Sequence, residues 1–164
     1  MPNEARERLI QQVVAESRRH YAAYTLFNQA LADHLGLHPT DLQCLSLLSL
    51  EPEPLTTGEI AKLTGLTSGS ATRLVDRLDR AGLVVRRGDP ADRRKTLVSL
   101  APKPVSEVDD AWDTPGAAFV SALDGFTDEQ LSVIGDYLRR VSAVGTEQAA
   151  RLTSAPGPGT GDSR

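Results

Sequence analysis

Ser70, Arg73, Arg77 and Arg80 recur at intervals of three and four residues, the spacing that aligns side chains on one face of a helix. Ala71, Leu74, Val75 and Leu78 fall on the other face of the same wheel. The apolar face can pack on a core while the basic one points outward. Guanidinium and hydroxyl groups in such a row suit phosphates and the acceptor edges of bases, arginine to guanine being the commonest specific contact. A helix about 10–12 Å across fits a major groove about 12 Å wide. The first turn, Ser68-Gly69-Ser70, is small and polar. Backbone can approach closely there, and the free N–H groups with the helix dipole favour phosphate. Ser68, Ser70, Thr72, Arg73 and Arg77 are the candidate contacts. The plainer alternative is a solvated face in which Asp76 pairs with Arg80 at i,i+4.

A second basic group stands in GDPADRRKTLV, residues 88–98, where Arg93, Arg94 and Lys95 follow the turn-forming run Asp89-Pro90-Ala91-Asp92. The whole chain of 164 residues has a formal charge of −4, but the charge is uneven. Residues 62–95 hold nine basic and four acidic residues, a local charge of +5, which leaves −9 for the remainder. A nucleic-acid footprint is local, so an acidic chain can carry one.

The elements that must position these residues follow from punctuation and periodicity. Residues 4–35 place Ile10, Val13, Val14, Tyr21, Tyr24, Phe27, Leu31 and Leu35 at helical spacing, ended by Gly36. A stripe of that length needs a partner to cover it. Helices are predicted at about 40–50, 57–64, 68–81, 103–124 and 128–151, with ends placed to about 2–4 residues. Thr56 and Glu59, with Leu55 and Ile60 around them, form a capping box and hydrophobic staple. Thr127 and Gln130 repeat it between Phe126 and Leu131, and Thr40 with Gln43 has the box alone. Gly65 ends the third helix and Thr67 caps the fourth across a short turn, the grammar of a helix-turn-helix. After Gly82, residues 83–87 and 95–100 read as strands joined by a wide loop. Thr114-Pro115-Gly116 is expected to interrupt the helix at 103–124. Residues 154–164, SAPGPGTGDSR, read as a disordered tail.

At this point residues 55–100, LTTGEIAKLTGLTSGSATRLVDRLDRAGLVVRRGDPADRRKTLVSL, resemble the winged helix of the MarR family of bacterial transcription regulators. The matching parts are LTTGEIAKLTGL, SGSATRLVDRLDRAGLV and the wing DPADRRKTLVSL, whose Asp-x-Arg falls on Asp92 and Arg94. The resemblance implies a mainly α chain with a small β-hairpin wing. A dimerisation helix would occupy 1–36, a winged helix-turn-helix lobe 37–101, and further dimerisation helices 102–153. It implies a homodimer on double-stranded DNA, with each recognition helix in a major groove. Arg94 would enter the minor groove, held by Asp92, while Arg93 and Lys95 contact phosphate. A two-fold dimer reads a pseudo-palindrome with half-sites about 10 bp apart. A narrow minor groove independently attracts an inserted arginine. Many members lose DNA affinity when a small phenolic or other aromatic molecule binds between the dimerisation helices and the lobe. Ala101 departs from the family, which commonly has a helix-capping Thr there.

Tyr21, Tyr24, Phe27 and Trp112 are the candidate effector pocket, although an aromatic stripe at helical spacing more often serves a core or a dimer. Cys44, within an apolar run, reads as inert packing. His20, His34 and His38 have no cysteine or acidic cluster at metal-ligand spacing, and no cofactor is expected. The chain lacks a phosphate loop, a Gly-x-Ser-x-Gly elbow and a dinucleotide fingerprint, so an enzyme is not expected. Aromatic residues at 4% are too few for a single-strand stacking platform. The polar start MPNEARERLIQQ, the single cysteine and the want of an apolar run of 18 residues suggest a cytoplasmic protein with no membrane partner. The sequence therefore reads as a dimeric, ligand-tuned DNA-binding regulator, more in keeping with a repressor. The alternative is a winged-helix protein–protein interaction module without DNA binding.

Overall fold

The computed structural model describes residues 2–102 and 105–154. Apart from Ser154, the segment read as a disordered tail lies outside them. Two compact units meet in sequence between Trp112 and Asp113. The first holds α1 (Pro2–His34), α2 (Pro39–Leu48), β1 (Leu55–Thr56), α3 (Thr57–Thr64), α4 (Ser68–Arg80), β2 (Val84–Gly88), β3 (Thr96–Leu100) and the start of α5 (Val105–Ser121). The second holds the rest of α5 and α6 (Asp128–Ser154).

Local chemistry sets most of the boundaries. At α3, Thr56 Oγ1 accepts from the Glu59 backbone N–H at 3.3 Å, and the Thr56 N–H donates to Glu59 Oε2 at 2.7 Å. That N–H, together with the Thr56 hydroxyl, holds the Glu59 carboxyl below the usual carboxylate range. Thr127 and Gln130 close the equivalent box on α6, at 2.9 and 3.3 Å. The Thr40/Gln43 box is not used. α2 starts one residue earlier, because Pro39 occupies the first turn, where its missing N–H costs nothing, and His38 becomes the N-cap. Gly65 takes φ +69°, which lets the chain leave α3 and reach the Thr67 cap of α4. Thr114-Pro115-Gly116 does not break α5, which runs through Pro115 to Ser121.

The wing is part of a three-stranded antiparallel sheet in the order β1-β3-β2. Leu55 pairs with Val98, and Val84 to Gly88 pair with Leu100 to Thr96. The core of this lobe joins Cys44, Leu45 and Leu48 of α2, Ile60 of α3, Leu74, Val75 and Leu78 of α4, and Val84 and Val98 of the sheet. The apolar face expected of α4 is thus the packed face: Leu74, Val75 and Leu78 are each 1% exposed. Cys44 is wholly buried here, and burial, helped by nearby Asp41, pushes its thiol up to about 11. It is a neutral packing residue at ordinary pH. A smaller cluster ties Leu31 and Ala32 of α1 to Leu42 of α2, with Phe27 and Ala111 against it.

Two helices keep apolar rows uncovered in the single chain. α1 exposes Leu9, Ile10, Val13 and Val14. α6 has no buried residue, and it exposes Val133, Leu138, Val141 and Val144. No helix among the described residues is long and apolar enough to cross a membrane.

Candidate nucleic-acid interface

The first turn and a half of α4 gathers four of the expected contact residues into one polar surface. Thr67 caps the helix by accepting from the Ser70 N–H at 3.3 Å. Its hydroxyl also donates to Ser70 Oγ at 3.0 Å, and Arg73 Nη2 donates to the same oxygen at 3.2 Å. With Ser70 Oγ accepting twice, its own O–H is the remaining donor. The Thr72 hydroxyl donates back to the Ser68 carbonyl at 2.9 Å, leaving its lone pairs to accept. Ser68, Thr72 and Arg73 are exposed. Between them Gly69 offers open backbone: a Cβ there would meet nothing within 4 Å. Free N–H groups, small side chains and a positive helix end form a surface that accommodates phosphate oxygens.

Arg77 lies one turn further on and is differently engaged. Its Nε donates to Asp41 Oδ2 at 3.0 Å and its Nη2 to Asp41 Oδ1 at 2.6 Å. The hydrogen-bonded Asp41 carboxylate raises the guanidinium pKa further. Arg80 Nε donates to the Asp76 carbonyl at 3.1 Å, so the two do not form the i,i+4 carboxylate pair anticipated for a solvated face. The Asp76 carboxylate instead accepts from Arg86 of β2, whose Nε also lies 3.2 Å from Asp79 Oδ2. A single guanidinium thereby ties the base of the wing to two successive turns of α4.

At the wing tip both aspartates shape the backbone. Asp89 Oδ1 accepts from the N–H of Ala91 at 2.7 Å and of Asp92 at 3.2 Å. Asp92 Oδ1 accepts from the Arg94 N–H at 3.1 Å. The Asp89 N–H donates to the Lys95 carbonyl at 3.0 Å, which closes the loop. Asp92 thus holds Arg94 through its backbone N–H, in an Asx-type turn. The side chains of Arg93, Arg94 and Lys95 stand exposed around it.

A cavity of about 380 Å³ lies in the first unit, within the usual range for small-molecule sites. Tyr24 and Trp112 supply its aromatic surface, Ser46 and Ser49 its hydroxyls, and leucines of α1, α2 and the sheet region the rest. None of the described residues that line it is charged. Of the four aromatic candidates, Tyr24 and Trp112 line the cavity. Phe27 meets Trp112 in a tilted arrangement with ring centres 5.4 Å apart, while Tyr21 is 73% exposed and stands outside the lining.

Sequence reasoning missed Asp41, Arg86, Ser46 and Ser49. Asp41 had a local signal, since it is the one acid in the otherwise apolar or uncharged PTDLQCLSLL. Arg86 had another, since it sits two residues from buried Val84 on the same strand face.

The comparisons with known proteins agree with this geometry. The MarR family model matches residues 35–95. The chain is 37% identical over 127 residues to the uncharacterized HTH-type transcriptional regulator YcgE of Bacillus subtilis (strain 168), covering 77% of this chain and 82% of that protein. Among solved structures, a MarR family protein from Bacillus stearothermophilus superposes with a TM-score of 0.64 at 24% identity, over 85% of this chain and 97% of that one. Bordetella bronchiseptica BpsR, whose DNA binding is regulated by 6-hydroxynicotinic acid, superposes with a TM-score of 0.55 at 24% identity, over 79% of this chain and 92% of that one. The lobe built from α2 to β3, its exposed helix and wing, and these likenesses converge: the chain belongs to the MarR family of winged-helix DNA-binding transcription regulators.

Proposed function

We propose that the protein is a cytoplasmic, homodimeric repressor that occupies a pseudo-palindromic operator and leaves it when a small aromatic or phenolic molecule binds. The observation that carries this reading is the pairing, within one compact unit, of an outward polar α4 and basic wing with a cavity of leucine, aromatic and serine side chains walled partly by α2. The α4 surface offers donors to phosphates and base edges, and the exposed wing arginines suit a minor groove. Apolar rows on α1 and α6 support dimerisation, since such rows are stable in water only when covered. A two-fold dimer turns one recognition helix into two, about 34 Å apart.

The chemistry of the cavity supports an uncharged effector. Aromatic and leucine side chains favour a flat apolar ring, and Ser46 and Ser49 suit a hydroxyl or carbonyl group. With no cation among the described lining residues, a carboxylate would find no charged partner in them. The control of BpsR by 6-hydroxynicotinic acid is a precedent for regulation of DNA binding by a small aromatic molecule, there one that carries a carboxylate. The test joins analytical ultracentrifugation with release from an enriched operator by a panel of neutral phenols and matched benzoates. The expected result is a two-chain mass at micromolar concentration, with release by phenols and not by benzoates. A single-chain mass bound to DNA, or no release by any aromatic compound, would contradict the reading.

A further inference from the structure

We infer that Arg77 and Asp41 form a positioning pair that seats the recognition helix on α2, so that Arg77 serves DNA binding through Asp41 rather than by contact with DNA. The inference rests on the DNA-binding reading of α4. It assigns Arg77 a different part in it from that of Arg73, one turn away on the same helix.

Asp41 is 4% exposed, and among the described residues it is the only buried polar or charged one. A carboxylate removed from water is tolerated only when its partner is well placed. Arg77 meets that need with two parallel hydrogen bonds, at 3.0 and 2.6 Å, across 36 residues of sequence. The fork geometry fixes distance, rotation and plane together, which a lysine ammonium cannot do. The apolar packing of Leu74, Val75 and Leu78 resists separation of α4 from the core but specifies its rotation less sharply. A directional ion pair at one flank of α4, opposed by Arg86 with Asp76 and Asp79, supplies that specification. The two hydrogen bonds take up one edge of the Arg77 guanidinium, whereas Arg73 reaches only the Ser70 hydroxyl of its own exposed face.

The test uses the full chain and a duplex enriched from a random library. Affinity, salt slope and melting temperature are measured for Asp41→Asn, Arg77→Gln, Arg77→Lys and the Asp41→Asn/Arg77→Gln double variant. Asp41→Asn removes a negative charge, and simple electrostatics would have it bind more tightly. The pair predicts the reverse: a loss of about tenfold or more, with the salt slope unchanged, because no phosphate contact is removed. Arg77→Gln should show a loss of the same size with the slope unchanged, and the double variant should be no worse than either single one. Arg77→Lys keeps the charge but loses the fork, and it should bind as poorly as Arg77→Gln. Melting curves restrict the comparison to folded protein, and Arg77→Lys decides the matter if Asp41→Asn does not fold.

Equal or tighter binding by Asp41→Asn would overturn the inference. So would wild-type affinity in Arg77→Lys, or a salt slope lowered by about one per subunit in Arg77→Gln, which would make Arg77 a phosphate contact. Those results would leave the DNA-binding reading standing. A wild-type chain that binds no duplex would sink that reading, and the pair's role with it.

Discussion

Arg94→Ala is expected to weaken operator binding by on the order of 100-fold. A charge-assisted contact contributes about 1.5 kcal/mol or more, a two-fold dimer loses it twice, and about 1.4 kcal/mol is tenfold in affinity. The substitution leaves the fold alone, since Arg94 is exposed at the tip and its turn is made by its backbone N–H on Asp92. The melting temperature therefore stays near wild type, and the loss is read as recognition. Asp92→Ala shares the direction although it makes the tip more positive, because it releases the backbone from which Arg94 projects. Fluorescence anisotropy over a salt series measures both. Unchanged affinity and slope in Arg94→Ala, or tighter binding by Asp92→Ala, would show that the wing acts only as diffuse positive charge.

Arg73→Ala is expected to lower the preference for operator over scrambled DNA by about 1–3 kcal/mol per half-site, the range for a lost bidentate contact to guanine. The side chain is exposed and leans on Ser70 in the first turn and a half of α4, the part of a recognition helix that meets base edges. Removing it leaves the packed face of Leu74, Val75 and Leu78 intact. Competition binding with both duplexes separates the possible roles. A loss confined to the operator marks a base contact. An equal loss on both sequences would make Arg73 a phosphate contact and remove it from the specificity set.

The features legible in the sequence were those with short-range causes. Thr56 and Glu59, three residues apart, mark the start of α3, and Gly65 and Thr67 fix the turn into α4. The period of Leu74, Val75 and Leu78 identifies the buried face of that helix, and through it the exposed one. The features that escaped depend on residues far apart in the chain. β1 is two residues long and exists because Leu55 pairs with Val98, so no local pattern announces it. Asp41 and Arg77 are 36 positions apart, and nothing around Arg77 distinguishes it from Arg73. Asp76 has a helical neighbour at Arg80, yet its carboxylate turns to Arg86, which that hydrogen bond and the nearby Asp79 carboxylate hold beside α4. Pro115 carries a local cost inside a helix, yet α5 runs through it. The cavity is assembled from residues 24 to 112, so two of its aromatic side chains were visible as candidates and its serines were not.

Selection from a random double-stranded DNA library at moderate salt tests the central claim most directly. The account predicts an enriched pseudo-palindrome with half-site centres about 10 bp apart, and enrichment that fails when Arg73 and Arg94 are both replaced by alanine. Enrichment of no sequence, or the same enrichment by the doubly substituted chain, would contradict it.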